Sequence, residues 1–266
     1  MSARPTEDGF TVVELVVACM MMAIVMTMTY LIATTMVKQT AQGTAAGVSS
    51  ETGQSQMATI DGYLRGAMTP TTAQFVYGVS GLCTGTLPGG SSANSSTAVQ
   101  EAYDYYLVLC SAPPRSPSLT CTAADAGSTA TSCPQLYVLD VRSDSCTAAV
   151  NACTLEIRDL SVSSRPAIFT SSVFRCTSTC RSDLGSTTSL PAGHEANGAA
   201  PAFPYLFTYY KSDGTTQIDG STLSLVQSVH VDLQVLSAPP ARATGTQAYT
   251  EMTDGIWMAG AATPQT

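Results

Sequence analysis

Charge is what this chain has least of. Only 11% of its residues are Asp, Glu, Lys or Arg, and acids outnumber bases 19 to 11 for a formal net charge of −8. A surface this sparse in Lys and Arg is a poor partner for phosphate backbones, so direct binding of nucleic acid is not expected. Histidine is nearly missing too, with two in the chain, His194 and His230. Structural zinc wants four Cys or His ligands in short paired spacings, and Cys176-x-x-x-Cys180 with His194 falls short of that set, so no metal is expected. His230 sits in an alternating apolar run and reads as an exposed strand residue. The chain has no Gly-x-Ser-x-Gly elbow, phosphate-binding glycine loop or His-Glu-x-x-His helix. His194-Glu195 stands in a long polar loop over 185–204 that offers no support for catalytic geometry. Asp213-Gly214 and Asp219-Gly220 match no EF-hand spacing and read as turns. The expectation is a non-enzyme without cofactor or catalytic residues.

Long apolar runs are also scarce, and the one exception dominates the sequence. Residues 15–37 carry no charge until Lys38. At about 1.5 Å per residue, a helix of this length crosses a hydrocarbon core of roughly 30 Å. A removable signal peptide has a shorter apolar core with a small-residue cut site behind it, whereas here the cleavable-looking Gly9 stands in front. One carboxylate, Glu14, lies at the head of the run. A charge inside a membrane segment costs about 2.5–3.5 kcal/mol on insertion scales, so Glu14 calls for a partner.

The stretch Gly9-Phe10-Thr11-Val12-Val13-Glu14-Leu15 resembles the start of type IV prepilins: a short polar leader ending in Gly, then Phe-Thr, with Glu at the fifth mature position. The resemblance implies cleavage between Gly9 and Phe10 by a prepilin peptidase and N-methylation of Phe10. It also implies assembly through the helix, with Glu14 paired to the new N-terminal amine of a neighbouring subunit. Leu31 stands where major pilins carry a proline, so no proline kink is expected. The end of the following helix, Asp61…Leu64-Arg65…Ala67, is similar to PilW-like minor pilins and J-type pseudopilins. A second similarity to those proteins lies in the aromatic strand ending at Tyr210, the Asp213-Gly214 turn and the long strand after it.

Beyond the membrane, residues 38–68 read as a continuation of the helix, softened by Gly43, Gly47 and Gly53 at about 1 kcal/mol each relative to Ala. Met57, Ile60 or Asp61, and Leu64 share one face at helical spacing. Asp61 and Arg65 at i and i+4 read as a surface pair worth a few tenths of a kcal/mol. From 69 to 266 short β-rich runs alternate with Ser, Thr, Gly and Pro. The strand expectations are 74–79, 103–110, 135–141, 154–160, 167–174, 205–210 and 223–236. They imply an antiparallel sheet with the far half of the helix as its second layer. The expected fold is therefore α+β: a long N-terminal transmembrane and assembly helix packed on an antiparallel sheet, pilin-like, with disulfide-stapled loops. Its parts are a leader (1–9), a transmembrane assembly helix (10–37), its extracytoplasmic continuation (38–68) and a β-rich domain (69–266).

Of nine cysteines, Cys19 falls in the apolar run and eight remain: Cys83, Cys110, Cys121, Cys133, Cys146, Cys153, Cys176 and Cys180. An even number on the extracytoplasmic side reads as a disulfide framework. Roughly a hundred connectivities are open. Pairing in chain order, 83 with 110, 121 with 133, 146 with 153 and 176 with 180, would staple loops that lack apolar residues of their own.

Two function classes follow. One is a structural subunit, a minor pilin or pseudopilin, of a type IV pilus or related type II secretion or competence filament. Its partners would be other pilin subunits, the prepilin peptidase and the cytoplasmic membrane, which it would leave for an extracytoplasmic filament. The other is a membrane-anchored extracytoplasmic adhesion or ligand-binding domain that joins no filament.

Overall fold

The computed structural model describes residues 11–88, 90–112, 121–125, 133–147, 152–160, 167–175, 206–218, 220–236 and 249–258. A single helix, α1 (Val12–Arg65), runs unbroken through Gly43 and Gly47, which meet no neighbouring atoms. Its proline-free sequence and good formers outweigh those glycines. The first two-thirds or so stand largely clear of the rest of the protein. Docking begins at Ser49 and continues through Gly53, Gln56, Ile60, Tyr63 and Leu64, which are buried at three- and four-residue spacing along one face. Ile60 and Leu64 are fully buried, Met57 packs at the margin, and Asp61 stays partly exposed to hold Arg65.

Gly66 ends α1 because the chain must pass another strand at once. A Cβ there would lie 2.5 Å from the Ala112 carbonyl oxygen and 2.8 Å from Ser111 Oγ. Ala67 then bridges Ser111, and the Ser111 hydroxyl donates to the Tyr63 carbonyl at 2.6 Å. The helix end is thereby tied to the sheet.

A second helix, α2 (Pro70–Tyr77), replaces the strand expected over 74–79. Thr69 caps it by accepting from the Thr72 N–H at 3.0 Å, and Pro70 occupies the first turn, where its missing N–H costs nothing. Gly78 closes it at φ +68°, a left-handed conformation that suits glycine. These caps decide the conformation over the apolar spacing of Phe75, Val76 and Tyr77.

Among the described residues eight strands form one antiparallel sheet: β1 (Val99–Tyr103), β2 (Tyr106–Ser111), β3 (Gln135–Thr147), β4 (Ala152–Asp159), β5 (Ala167–Arg175), β6 (Phe207–Tyr210), β7 (Ser228–Leu236) and β8 (Tyr249–Trp257). The run expected as one strand over 103–110 is a hairpin, with Tyr103 paired to Tyr106 across a two-residue turn. The strand expected over 223–236 starts at Ser228, after a 3-10 segment, Gly220–Leu225. β8 is an addition to the expected set. It pairs along all of β7, from Ser228↔Trp257 to Leu236↔Tyr249. The opposite edge of β7 is therefore shared by β6 and, at Phe174↔Val235, by β5.

Two cores flank the sheet. On one face Leu107, Leu109, Tyr137, Leu139, Val231 and Val235 pack with Ile60, Tyr63 and Leu64 of α1. On the other, Tyr106, Val108, Cys110, Leu136 and Val138 pack beneath Ala73, Leu82, Cys83 and Leu87, which belong to α2 and the loops after it. Alternation along β2 serves both, so every residue of that strand is buried. The architecture is α+β, with α1 on one side of the antiparallel sheet and a disulfide-tied layer on the other.

Candidate functional site at the head of the apolar helix

The helix begins with a capping box. The Glu14 N–H donates to Thr11 Oγ1 at 3.3 Å, while Glu14 Oε2 accepts from the Thr11 N–H at 3.0 Å and from its hydroxyl at 3.1 Å. Two backbone donors that α1 leaves open at its start are thus satisfied reciprocally, and the acid lies at the positive end of the helix dipole. The pattern Thr-x-x-Glu is visible in the sequence, and it gives Glu14 a role within its own chain beside any role between chains.

Behind the cap the surface is apolar and uncovered. Val12, Met22 and Val37 are 78%, 64% and 68% exposed, and the large side chains between them are similarly open. α1 is the one helix among the described residues long and apolar enough to cross a membrane. Its threonines suit that setting. Thr27, Thr29 and Thr35 donate to the carbonyls of Ala23, Val25 and Leu31, each at 2.8 Å, and Thr34 also donates to Leu31 at 2.9 Å. Each hydroxyl finds its partner inside the helix, as a segment in lipid requires. Cys19 is a free, exposed thiol on the same surface.

Gly9 and Phe10, the expected cleavage and methylation positions, lie outside the described residues. So do Cys176, Cys180, His194 and the side chain of Cys146. Cys83 is bonded to Cys110, and Cys121 to Cys133, both pairs of chain neighbours. The first ties the loop after α2 to β2, and the second closes the segment before β3. Cys153 is disulfide-bonded as well.

No group of three or more His, Cys, Asp or Glu able to hold a metal occurs among the described residues. Asp213 is engaged in its turn: its carboxylate accepts from the Thr216 hydroxyl and from the N–H groups of Thr216 and Thr215. Those bonds hold its pKa down at about 2. His230 is exposed on β7, its ring 4.5 Å from that of Tyr210. On the same face of β7, burial and then the neighbouring Glu251 raise the Asp232 carboxyl to about 6.

No protein-family model, curated protein or solved structure matches the chain.

Proposed function

We propose that this chain is a non-enzymatic filament subunit, a minor pilin or pseudopilin of a type IV pilus or related secretion or competence fibre. The observation that carries the reading is the bare apolar stretch of α1, whose one carboxylate, Glu14, sits in the first turn. So large an apolar surface needs lipid before assembly and neighbouring helices after it. In this reading a peptidase cuts between Gly9 and Phe10, Phe10 is methylated, and Glu14 meets the amine of the next subunit. A buried carboxylate is tolerable when paired, and stripping it of its partner leaves an uncompensated charge. The acidic, disulfide-tied domain fits an extracytoplasmic surface, and its size fits a minor component better than a subunit repeated at every lattice position.

Mass spectrometry of the mature N-terminus tests the proposal. The expected protein begins at N-methylated Phe10, and changing Gly9 leaves an unprocessed precursor in the membrane. A protein that still begins at Met1, or is cut behind residue 37, sinks the reading.

The capping box favours a second reading: Glu14 is satisfied within its own chain, as in a plain single-pass anchor for an adhesion or ligand-binding domain. The two differ in whether the charge of Glu14 matters once the cap is kept.

A further inference from the structure

We infer that Asn94 is an N-glycan acceptor, modified on the extracytoplasmic side of the membrane from a lipid-linked oligosaccharide; the inference rests on the topology proposed above. Of the three asparagines in the chain, Asn94 alone is followed by the x-Ser/Thr pattern, as Asn94-Ser95-Ser96. Asn94, Ser95 and Ser96 are all exposed.

The local geometry presents the amide. Asn94 Oδ1 accepts from the Ser96 N–H at 2.9 Å and from the Ser96 hydroxyl at 2.8 Å, so the hydroxyl two residues on is held against the amide. The amide plane is fixed through its oxygen, and Nδ2 has no partner among the described residues. Gln100 holds the backbone of Asn94, accepting from its N–H and donating to its carbonyl at 2.9 Å. The Ser95 carbonyl accepts from the Thr71 N–H at 3.1 Å and from the Thr71 hydroxyl at 2.8 Å, which ties the loop to α2.

Placement agrees with modification of an assembled subunit. Ala93, next to the acceptor, packs on the core that α2 covers, across the sheet from α1. A glycan there leaves the helix and its seat on β7 and β8 free. It also supplies hydration to a surface poor in charge.

In the transfer, Nδ2 attacks the anomeric carbon of the donor sugar. The new N–C1 bond forms as the C1–O bond to the lipid pyrophosphate breaks. The lipid pyrophosphate leaves with the electron pair, and a base of the membrane transferase takes the amide proton.

The test uses full-length protein purified from the membranes of its own host and digested with trypsin without reduction. No Lys or Arg lies between Arg65 and Arg115, so one peptide, 66–115, carries both Asn94 and the Cys83–Cys110 bond. Fragmentation that preserves glycans is expected to place a sugar mass on Asn94. N94Q and S96A are expected to remove it, while S96T keeps it. An unmodified peptide, or sugar on Ser91, Ser92, Ser95 or Ser96, overturns the inference. In the unmodified case the same peptide assigns the failure: an intact Cys83–Cys110 bond condemns the acceptor site alone, and free thiols condemn the extracytoplasmic topology with it.

Discussion

Glutamine can take the place of glutamate at the third position of a capping box, which makes Glu14→Gln the informative substitution. It keeps the reciprocal bonds with Thr11 and removes the charge. If Glu14 pairs with a neighbour's amine, E14Q inserts and folds normally, yet its incorporation into sheared filaments, read by immunoblot, falls about tenfold or more. Thr11→Ala gives the opposite pattern: the helix start loses about 1 kcal/mol while incorporation persists. Equal incorporation of E14Q and wild type would leave the capping role standing alone. Asp232 supplies a prediction of another kind. Its carboxyl is raised to about 6 in the folded state, against an ordinary value near 3.8. Between those values the folded form holds a proton that the unfolded chain has released, so this group's contribution to stability falls as pH rises from about 4 to 6 and then levels off. Asp232→Asn is therefore expected to raise the melting temperature at pH 7.5 and leave it nearly unchanged at pH 4. Equal shifts at both values would show that titration is not the cause.

At the level of elements, the seat of α1 on the sheet rests on a few close contacts. Ile60→Ala removes a fully buried side chain from that seat and should cost about 2–5 kcal/mol of domain stability. Leu31→Ala, on the bare part of the same helix, should cost the domain nothing; denaturant titration in detergent compares the two. Replacing Cys83 and Cys110 together by Ser should lower stability by about 2–4 kcal/mol, because the bond closes 27 residues of chain. These elements were unevenly legible in the sequence. The long helix, the antiparallel character of the domain, β3, β4, β5 and the helix face of Ile60 and Leu64 follow from periodicity. Residues 74–79 read as a strand by their apolar residues, whereas Thr69, Pro70 and Gly78 cap a helix there. The 103–110 run hid a hairpin because Asp104-Tyr105 lacks the glycine that advertises a two-residue turn. β8 escaped because Tyr249, Thr250, Glu251, Met252 and Thr253 place few apolar residues in strict alternation, and its place comes from pairing with β7. At the candidate site Glu14 stood out by its cost in an apolar run, whereas its bonds to Thr11 became plain only with the helix start in view.

On the scale of the whole molecule, the chain divides its work between a bare helix that needs company and a domain whose two faces are already covered. Filaments purified from a strain lacking this chain should be altered in number or composition rather than in the structure of their shaft, if it is a minor component. Electron microscopy and quantitative proteomics of sheared fibres check that expectation, and a wholly missing shaft lattice would instead mark it as the repeated subunit. The place where helix and domain meet carries one more consequence. Ser49 Oγ lies 2.8 Å from Thr250 Oγ1, a bond between residues 201 positions apart, and Gly53 faces Met252 on the same strand. During synthesis the helix therefore emerges long before this strand exists. A polypeptide that stops short of β8 keeps the tie of the helix end to Ser111 but lacks Thr250 and Met252, the partners of Ser49 and Gly53. The first contacts in the helix's seat are therefore completed only by a strand made 201 positions later in the chain.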